Sequence, residues 1–282
     1  MRISKAMQAT AEGFELRGTV TPVRELLGDL WNKRRLIRLL ARRDFHVRYR
    51  RPSFGLLWVL LVPLIQTAVL SVIFTKIVRF QLPGISFPVF MLSGLLPWLF
   101  FSSSVGASVT AITRGGALAG KVYFPRAVLP LVIVRSNLYG FGHRLLLVLA
   151  AALVLGQGIG PEIVLLLPAV ALMVLLASSF CLVFAALHVY FRDMSFLVGA
   201  LMQAWFWGSA VFYPITRAGT GTLRTAMTIN PASGMIYLFR SAVVGWPIEE
   251  ALIVSTLAWS AGLLAFALFM YRRYNRVFID LL

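Results

Sequence analysis

GGALAGKV, at positions 115–122, spaces Gly115, Gly120 and Lys121 as a phosphate-cradling loop would. In such a loop a strand delivers the chain into a glycine turn whose amides hold phosphate. The lysine reaches the terminal phosphates, and a Ser or Thr hydroxyl holds magnesium. Here Val122 stands where that hydroxyl should be, and the preceding SSSVGASVTAITR reads as the end of an apolar helix, not a buried strand. Nucleotide binding by this loop is not expected.

Acid chemistry is no better served. The ten carboxylates are Glu12, Glu15, Glu25, Asp29, Asp44, Glu162, Asp193, Glu249, Glu250 and Asp280. None lies within a long apolar stretch, where a proton-coupled transporter would need one. No DxD pair is available for metal-dependent sugar transfer, and Glu249 and Glu250, though adjacent, stand alone. Cys181 is the single cysteine, so neither a disulfide within one chain nor a thiolate metal site can form. No catalytic residue and no metal site is expected.

The elements that carry these residues follow from hydropathy. Of 282 residues, 59% are hydrophobic and 13% charged, far from the roughly 25% charged of soluble domains. A helix needs about 20 apolar residues to cross a hydrocarbon core about 30 Å thick, because every backbone amide must be paired internally there. Six stretches qualify, near 54–76, 88–112, 128–155, 162–187, 195–214 and 249–271. The expected fold is an all-α polytopic membrane protein with six transmembrane helices over 53–282 and no soluble domain.

Charge orients the spans. Thirteen Lys and Arg precede residue 54, and Arg114, Lys121, Arg126, Arg192, Arg272, Arg273 and Arg276 fall on the same side, against Lys76, Arg79, Arg217, Arg224 and Arg240 on the other. The basic excess marks the cytoplasmic side, so both termini are expected there. The net charge of +17 lies beside apolar segments, which suits anionic lipid headgroups and not nucleic acid.

Residues 1–20 contain no apolar run of signal-peptide length and are expected to form a flexible cytoplasmic N-terminus. Residues 21–52 begin with Thr21 as N-cap and Pro22 in the first turn, and Pro52 marks their end. Val23, Leu26, Leu27, Leu30 and Ile37 recur at helical spacing among many arginines, as in an amphipathic helix lying in the headgroup plane; an ordinary soluble amphipathic helix is the alternative.

Two cytoplasmic connections, 113–127 and 188–194, carry similar clusters. KVYFPR presents Val122, Tyr123 and Phe124 between Lys121 and Arg126, and HVYFRDMS presents Tyr190, Phe191, Arg192 and Asp193. Exposed apolar groups on a short loop point to a partner, unless they tuck back under the protein's own helices.

Taken as a set, RRDFHVRYRRPSFGLLWVLLVPL, KVYFPRAVLPL, YFRDMSFLVGALMQAWFWGSAVFYP and NPASGMIYLFRSAVVG resemble permease subunits of type-2 ABC exporters, in particular those moving O-antigen, teichoic acid and galactan chains. The resemblance runs from about Leu36 to the end. It implies a homodimer of permeases with two separate ATPase subunits, which alone bind ATP and Mg, in a bacterial cytoplasmic membrane. It also implies that Lys121, Val122, Tyr123, Phe124, Pro125 and Arg126, with Tyr190, Phe191, Arg192 and Asp193, are the ATPase-coupling residues. The segment 214–248, too polar to cross yet apolar over 231–245, would be a re-entrant outer helical hairpin between helices 5 and 6, with Asn230, Pro231 and Arg240 in an outer gate.

A lipid-linked polysaccharide offers hydroxyls and apolar ring faces, so its path calls for aromatic planes and hydrogen-bonding groups. Thr67, Ser71 and Thr75 are spaced by four, and Trp98, Tyr139, Trp205, Trp207 and Tyr213 supply rings. Interfacial anchoring and helix packing compete for the same residue types. Arg135 and Arg144 fall inside the third span, where an ionised group faces protein or water at a cost; Arg135, nearer the cytoplasm, could meet the pyrophosphate of a lipid-linked glycan. Arg outnumbers Lys 23 to 4, a bias of GC-rich genomes that points toward a cell-wall galactan of the mycobacterial type. Export of drugs or small lipids through the same fold, and a polyprenyl-phosphate-dependent membrane glycosyltransferase, are the alternatives.

Overall fold

The computed structural model describes residues 23–50, 53–80, 82, 84–115, 124–219 and 221–274, and among them there is no strand. Among the described residues five helices are long and apolar enough to cross a membrane: Gly55–Ile77, Phe87–Ser108, Val128–Val154, Pro161–Tyr190 and Glu250–Arg273. These agree within a few residues with five of the expected spans. The remaining one, 195–214, is realised as a helix over Met194–Trp207 of only 14 residues, about 20 Å long. It stops at Gly208, and the chain continues through a largely buried irregular stretch to Ile215.

In chain order the α-helices of eight or more described residues are α1 (Val23–Asn32), α2 (Arg34–Arg50), α3 (Trp58–Val72), α4 (Phe87–Ser108), α5 (Val128–Val154), α6 (Leu166–Tyr190), α7 (Met194–Trp207), α8 (Thr222–Ile229), α9 (Pro231–Val244) and α10 (Glu250–Tyr274). Pro63 and Pro97 lie inside α3 and α4, positions that membrane helices tolerate because neighbouring groups re-satisfy the freed carbonyl.

Two helices form the centre. α4 is buried along most of its length and packs against α3, α5, α6, α7 and α9. α9 is buried at every position from Pro231 to Val243. It starts cleanly because Asn230 caps it, the side-chain Oδ1 accepting from the Ala232 amide at 3.0 Å, with Pro231 pre-set for the first turn. It ends at Gly245, whose φ of +64° is the left-handed conformation that closes a helix. Edge-to-face rings tie the centre together: Phe100 of α4 to Phe141 of α5 at 5.7 Å, and Phe141 to Phe239 of α9 at 5.6 Å.

Close approach of backbones does the rest. A Cβ placed on Gly234 of α9 would lie 2.2 Å from the Leu252 carbonyl oxygen of α10, so only glycine lets these two helices touch. Thr256 of α10 donates to the Pro231 carbonyl at 2.8 Å. Small residues and hydroxyls at such crossings replace the hydrophobic drive that lipid removes.

The basic N-terminal region forms α1 and α2, nearly continuous through Lys33, whose amide reaches Asp29 at 2.9 Å. Its second half runs alongside the first half of α5. Asp44 accepts from Ser136 at 2.6 Å and from Arg48 at 2.8 Å, while Arg48 also donates to Asn137 at 2.6 Å and Asn137 to Ser104 at 3.0 Å. Phe45 stacks on His143 at 6.0 Å. This polar seam, joining α2, α5 and α4, is not apparent from the amphipathic pattern alone.

Candidate transport path and coupling face

The two clusters, KVYFPR and HVYFRD, alike in sequence, are unlike in structure. Lys121, Val122 and Tyr123 lie outside the described residues. Phe124 is 4% exposed and packs among Ala41, Val128, Leu129 and Val132, and Pro125 and Arg126 are buried as well. The exposed apolar surface expected at Phe124 is therefore absent: its ring fills the gap between α2 and α5. At the other turn, Tyr190, Phe191, Arg192 and Asp193 are all exposed, Phe191 at 62%. Phe196 and Leu197 continue that exposed apolar surface onto α7.

The path candidates also divide. Trp98 is 3% exposed and meets Trp205 and Phe206 at about 6 Å between centroids. Trp205 is half-buried, contacts Phe101 and Phe180, and donates its indole N–H to Asn230 Oδ1 at 2.9 Å. These two tryptophans hold α7 against α4 and α6. Thr67 is buried, Ser71 half-buried and Thr75 exposed, its hydroxyl donating to the Ser71 carbonyl at 2.6 Å; the four-residue spacing drifts around the helix, so the three do not share one environment. Arg135 sits 5.9 Å from the Tyr139 ring, with its Nε buried and without a hydrogen-bond partner. Arg144 donates to the Val59 carbonyl at 3.4 Å and so ties α5 to α3.

Trp207 is different. It is 57% exposed and stacks on Phe212 at 5.0 Å with the planes 14° apart. Phe212 stacks in turn on Phe74, 5.8 Å and 4°, and Phe74 on Phe87, 5.4 Å and 15°. Four rings, from the turn that follows α3, the start of α4, the last residue of α7 and the stretch after it, thus form one near-parallel pile with Trp207 at its open end. Tyr213, half-buried, donates to the Trp207 carbonyl at 3.2 Å. Phe74 and Phe87 are not among the sequence candidates, and aromatic content alone gives no signal that they meet. α3 and α7, which flank α4 on this side, carry many exposed large apolar side chains, including Val62, Ile65, Val69, Val72, Phe196 and Leu201.

The outer-gate candidates sit at one junction. Asn230 reaches back to α7, its Nδ2 donating to the Gly208 carbonyl at 3.2 Å. Pro231 is buried, and Arg240 is fully buried. Arg240 donates to the carbonyls of Ala210 at 3.1 Å and Val211 at 2.9 Å and to Ser93 Oγ at 3.3 Å, and its guanidinium lies 3.8 Å from the Phe90 ring centroid. Among the described residues no three His, Cys, Asp or Glu side chains gather as metal ligands would.

Comparison with known proteins completes the description. The family model of ABC-2 type transporters matches residues 35–244. The O-antigen export system permease protein RfbA of Myxococcus xanthus is 33% identical over 217 residues, 77% of this chain and 83% of that protein. A Klebsiella pneumoniae protein of the same name is 26% identical over 206 residues, 73% and 78% of the two chains. The polysialic acid transport protein KpsM of Escherichia coli is 28% identical over 225 residues, 79% and 86% of the two.

Proposed function

Since the chain belongs to the ABC-2 type transporter family, we propose that it is the transmembrane subunit of an ATP-driven exporter that moves a lipid-linked polysaccharide across the bacterial cytoplasmic membrane. The names of its relatives, permeases for O-antigen and a transport protein for polysialic acid, support the polysaccharide. The arginine bias supports a cell-wall galactan among such cargoes. The observation that carries the reading is the four-ring pile ending at exposed Trp207, set between the unpartnered apolar faces of α3 and α7. A stacked aromatic edge binds the apolar faces of successive sugars without a fixed charged pocket.

In this reading a second copy covers the α3 and α7 faces, so that the glycan passes along the dimer axis, and six helices per copy enclose the path. α7 completes the sixth crossing together with the buried stretch after Gly208. α8 and α9 form the re-entrant outer hairpin, which the complete burial of α9 supports. α1 and the start of α2 lie in the inner headgroup plane, and both termini are cytoplasmic. Arg135, with an unsatisfied Nε at the cytoplasmic part of α5, meets a phosphate of the cargo's carrier.

ATP and Mg bind to two partner ATPase subunits, which grip this chain at Tyr190–Asp193. The exposed Phe191 there supplies the apolar contact, and α6 and α7, meeting at that turn, carry the stroke into the bilayer. This subunit is not itself an enzyme.

Depletion of the protein in its host tests the reading. A lipid-linked glycan should accumulate on the cytoplasmic leaflet while its surface counterpart disappears. If no glycan accumulates, the cargo is a drug or small lipid, and the polysaccharide assignment falls.

A further inference from the structure

The sequence groups Arg240 with the outer gate, yet no part of it is exposed to a path. Its side chain is among the largest fully buried ones in the protein. The described ion pairs are Arg48–Asp44 and Arg224–Glu249, so among the described residues no carboxylate neutralises it. Two successive carbonyls, Ala210 and Val211, take the two ends of its fork, and Ser93 takes the Nε. Ser93 is free to accept because its own proton goes to the Phe90 carbonyl at 2.7 Å. A planar guanidinium suits this bridging role, and an ammonium does not. Gly94 completes the fit: a Cβ there would lie 2.4 Å from the Arg240 fork and 2.9 Å from the Val211 carbonyl oxygen.

The same helix face secures the stretch after α7 at two further levels. Above Arg240, Tyr237 Oη accepts the Ile215 amide; at the N-cap, Asn230 holds both Trp205 and the Gly208 carbonyl. Four peptide groups of the stretch, the Gly208, Ala210 and Val211 carbonyls and the Ile215 amide, which lie beyond the helical ladder that ends at Trp207, are thus paired by side chains of α9 and its N-cap.

α8 is held quite differently. It hangs between Gly219 and Gly221, with φ of +66° and +118°, and the Asn230 junction. Most of its residues are exposed. Its polar ties are at the Ile229 carbonyl, reached by Ser255 at 3.1 Å and Trp259 at 2.9 Å, and at a half-exposed Arg224–Glu249 pair at 3.5 Å, and its single buried side chain, Met227, packs with Ala210, Ile215 and Tyr237.

We infer that Arg240 is a positioning residue that locks the stretch 208–215 to α4 and α9 as one body throughout transport, so that the outer segment opens by movement of α8 alone. Through that stretch Arg240 fixes Phe212, and with it the ring pile that ends at Trp207. The inference rests on reading 214–248 as the outer gate.

The test uses the whole transporter in spheroplasts, in a Cys181→Ala background, with a membrane-impermeant maleimide. Ser209→Cys, nearly isosteric and fully buried in the native chain, should stay unlabelled both during export and after energy depletion. Thr225→Cys on α8 should label from outside, with a rate that differs by about tenfold or more between the two conditions. Adding Arg240→Gln or Arg240→Lys should expose Ser209→Cys while the ATPase still co-purifies. Labelling of Ser209→Cys during export with Arg240 intact overturns the inference, and that comparison needs no Arg240 variant to fold. So does an α8 rate unchanged by export, or a lysine that restores protection, since charge alone would then suffice. A Thr225→Cys that reacts only from the cytoplasmic face overturns the outer-gate reading itself.

Discussion

Replacing Gly234 by alanine is expected to force α9 and α10 apart. The added Cβ would stand 2.2 Å from the Leu252 carbonyl oxygen and 2.4 Å from Thr256 Oγ1. The first is backbone, and the second is already engaged with the Pro231 and Leu252 carbonyls at 2.8 and 3.0 Å, so neither can swing away. Relief requires a shift of about 1 Å between two packed helices, and overpacking of this kind costs about 1–3 kcal/mol. Loss of the Thr256 bond to Pro231 adds about 0.5–1.5 kcal/mol, for a total of about 1.5–4.5 kcal/mol. Gly262, on the exposed side of α10, where an added methyl group would meet nothing within 4 Å, is the matched control. There alanine gains helix propensity, about 0.5–1 kcal/mol. Unfolding followed by tryptophan fluorescence in mixed micelles should rank Gly262→Ala at or above the native protein and Gly234→Ala well below it. Equal stability of the two variants would refute the close-approach argument.

Phe191→Ala should leave stability within about 0.5 kcal/mol, as a surface change does, yet reduce the ATPase recovered with the permease; Phe124→Ala, which empties a buried site, should instead cost about 3–5 kcal/mol and lower the amount of both. Trp207→Ala should slow export without altering unfolding, whereas Trp98→Ala should destabilise by about 3–5 kcal/mol, and paired measurements of export and unfolding separate the two. Asp44→Ala removes the acceptor shared by Arg48 and Ser136; with both ion-pair side chains about a third exposed, solvent screening limits the loss to about 1–2 kcal/mol. Limited proteolysis ahead of α3 should then accelerate.

The near-repeat KVYFPR and HVYFRD shows where sequence reading stops. Both suggest an apolar contact for a partner. In the fold, Phe124 packs against Ala41 and Val132, while Phe191 stands open. The difference depends on α2, which lies against Phe124 and is held to α5 by Asp44 and Arg48. Nothing within either hexapeptide records that. Arg240 is legible as a costly residue in an apolar stretch, but its partners are two backbone carbonyls and a serine 147 positions away. Such a partner set has no sequence signature.

Hydropathy by itself determined where five crossings lie, because an unpaired amide in hydrocarbon is too costly for any other arrangement. The clustered motifs determined the family. Only the tertiary structure decided which apolar side chains form the core and which face outward. In a soluble helix the polar face would mark the outside, but lipid is as apolar as the interior, so α4 and α3 read alike although one is buried and the other largely exposed. Contacts made by glycines, carbonyls and ring edges break that tie, and they exist only once the helices have met.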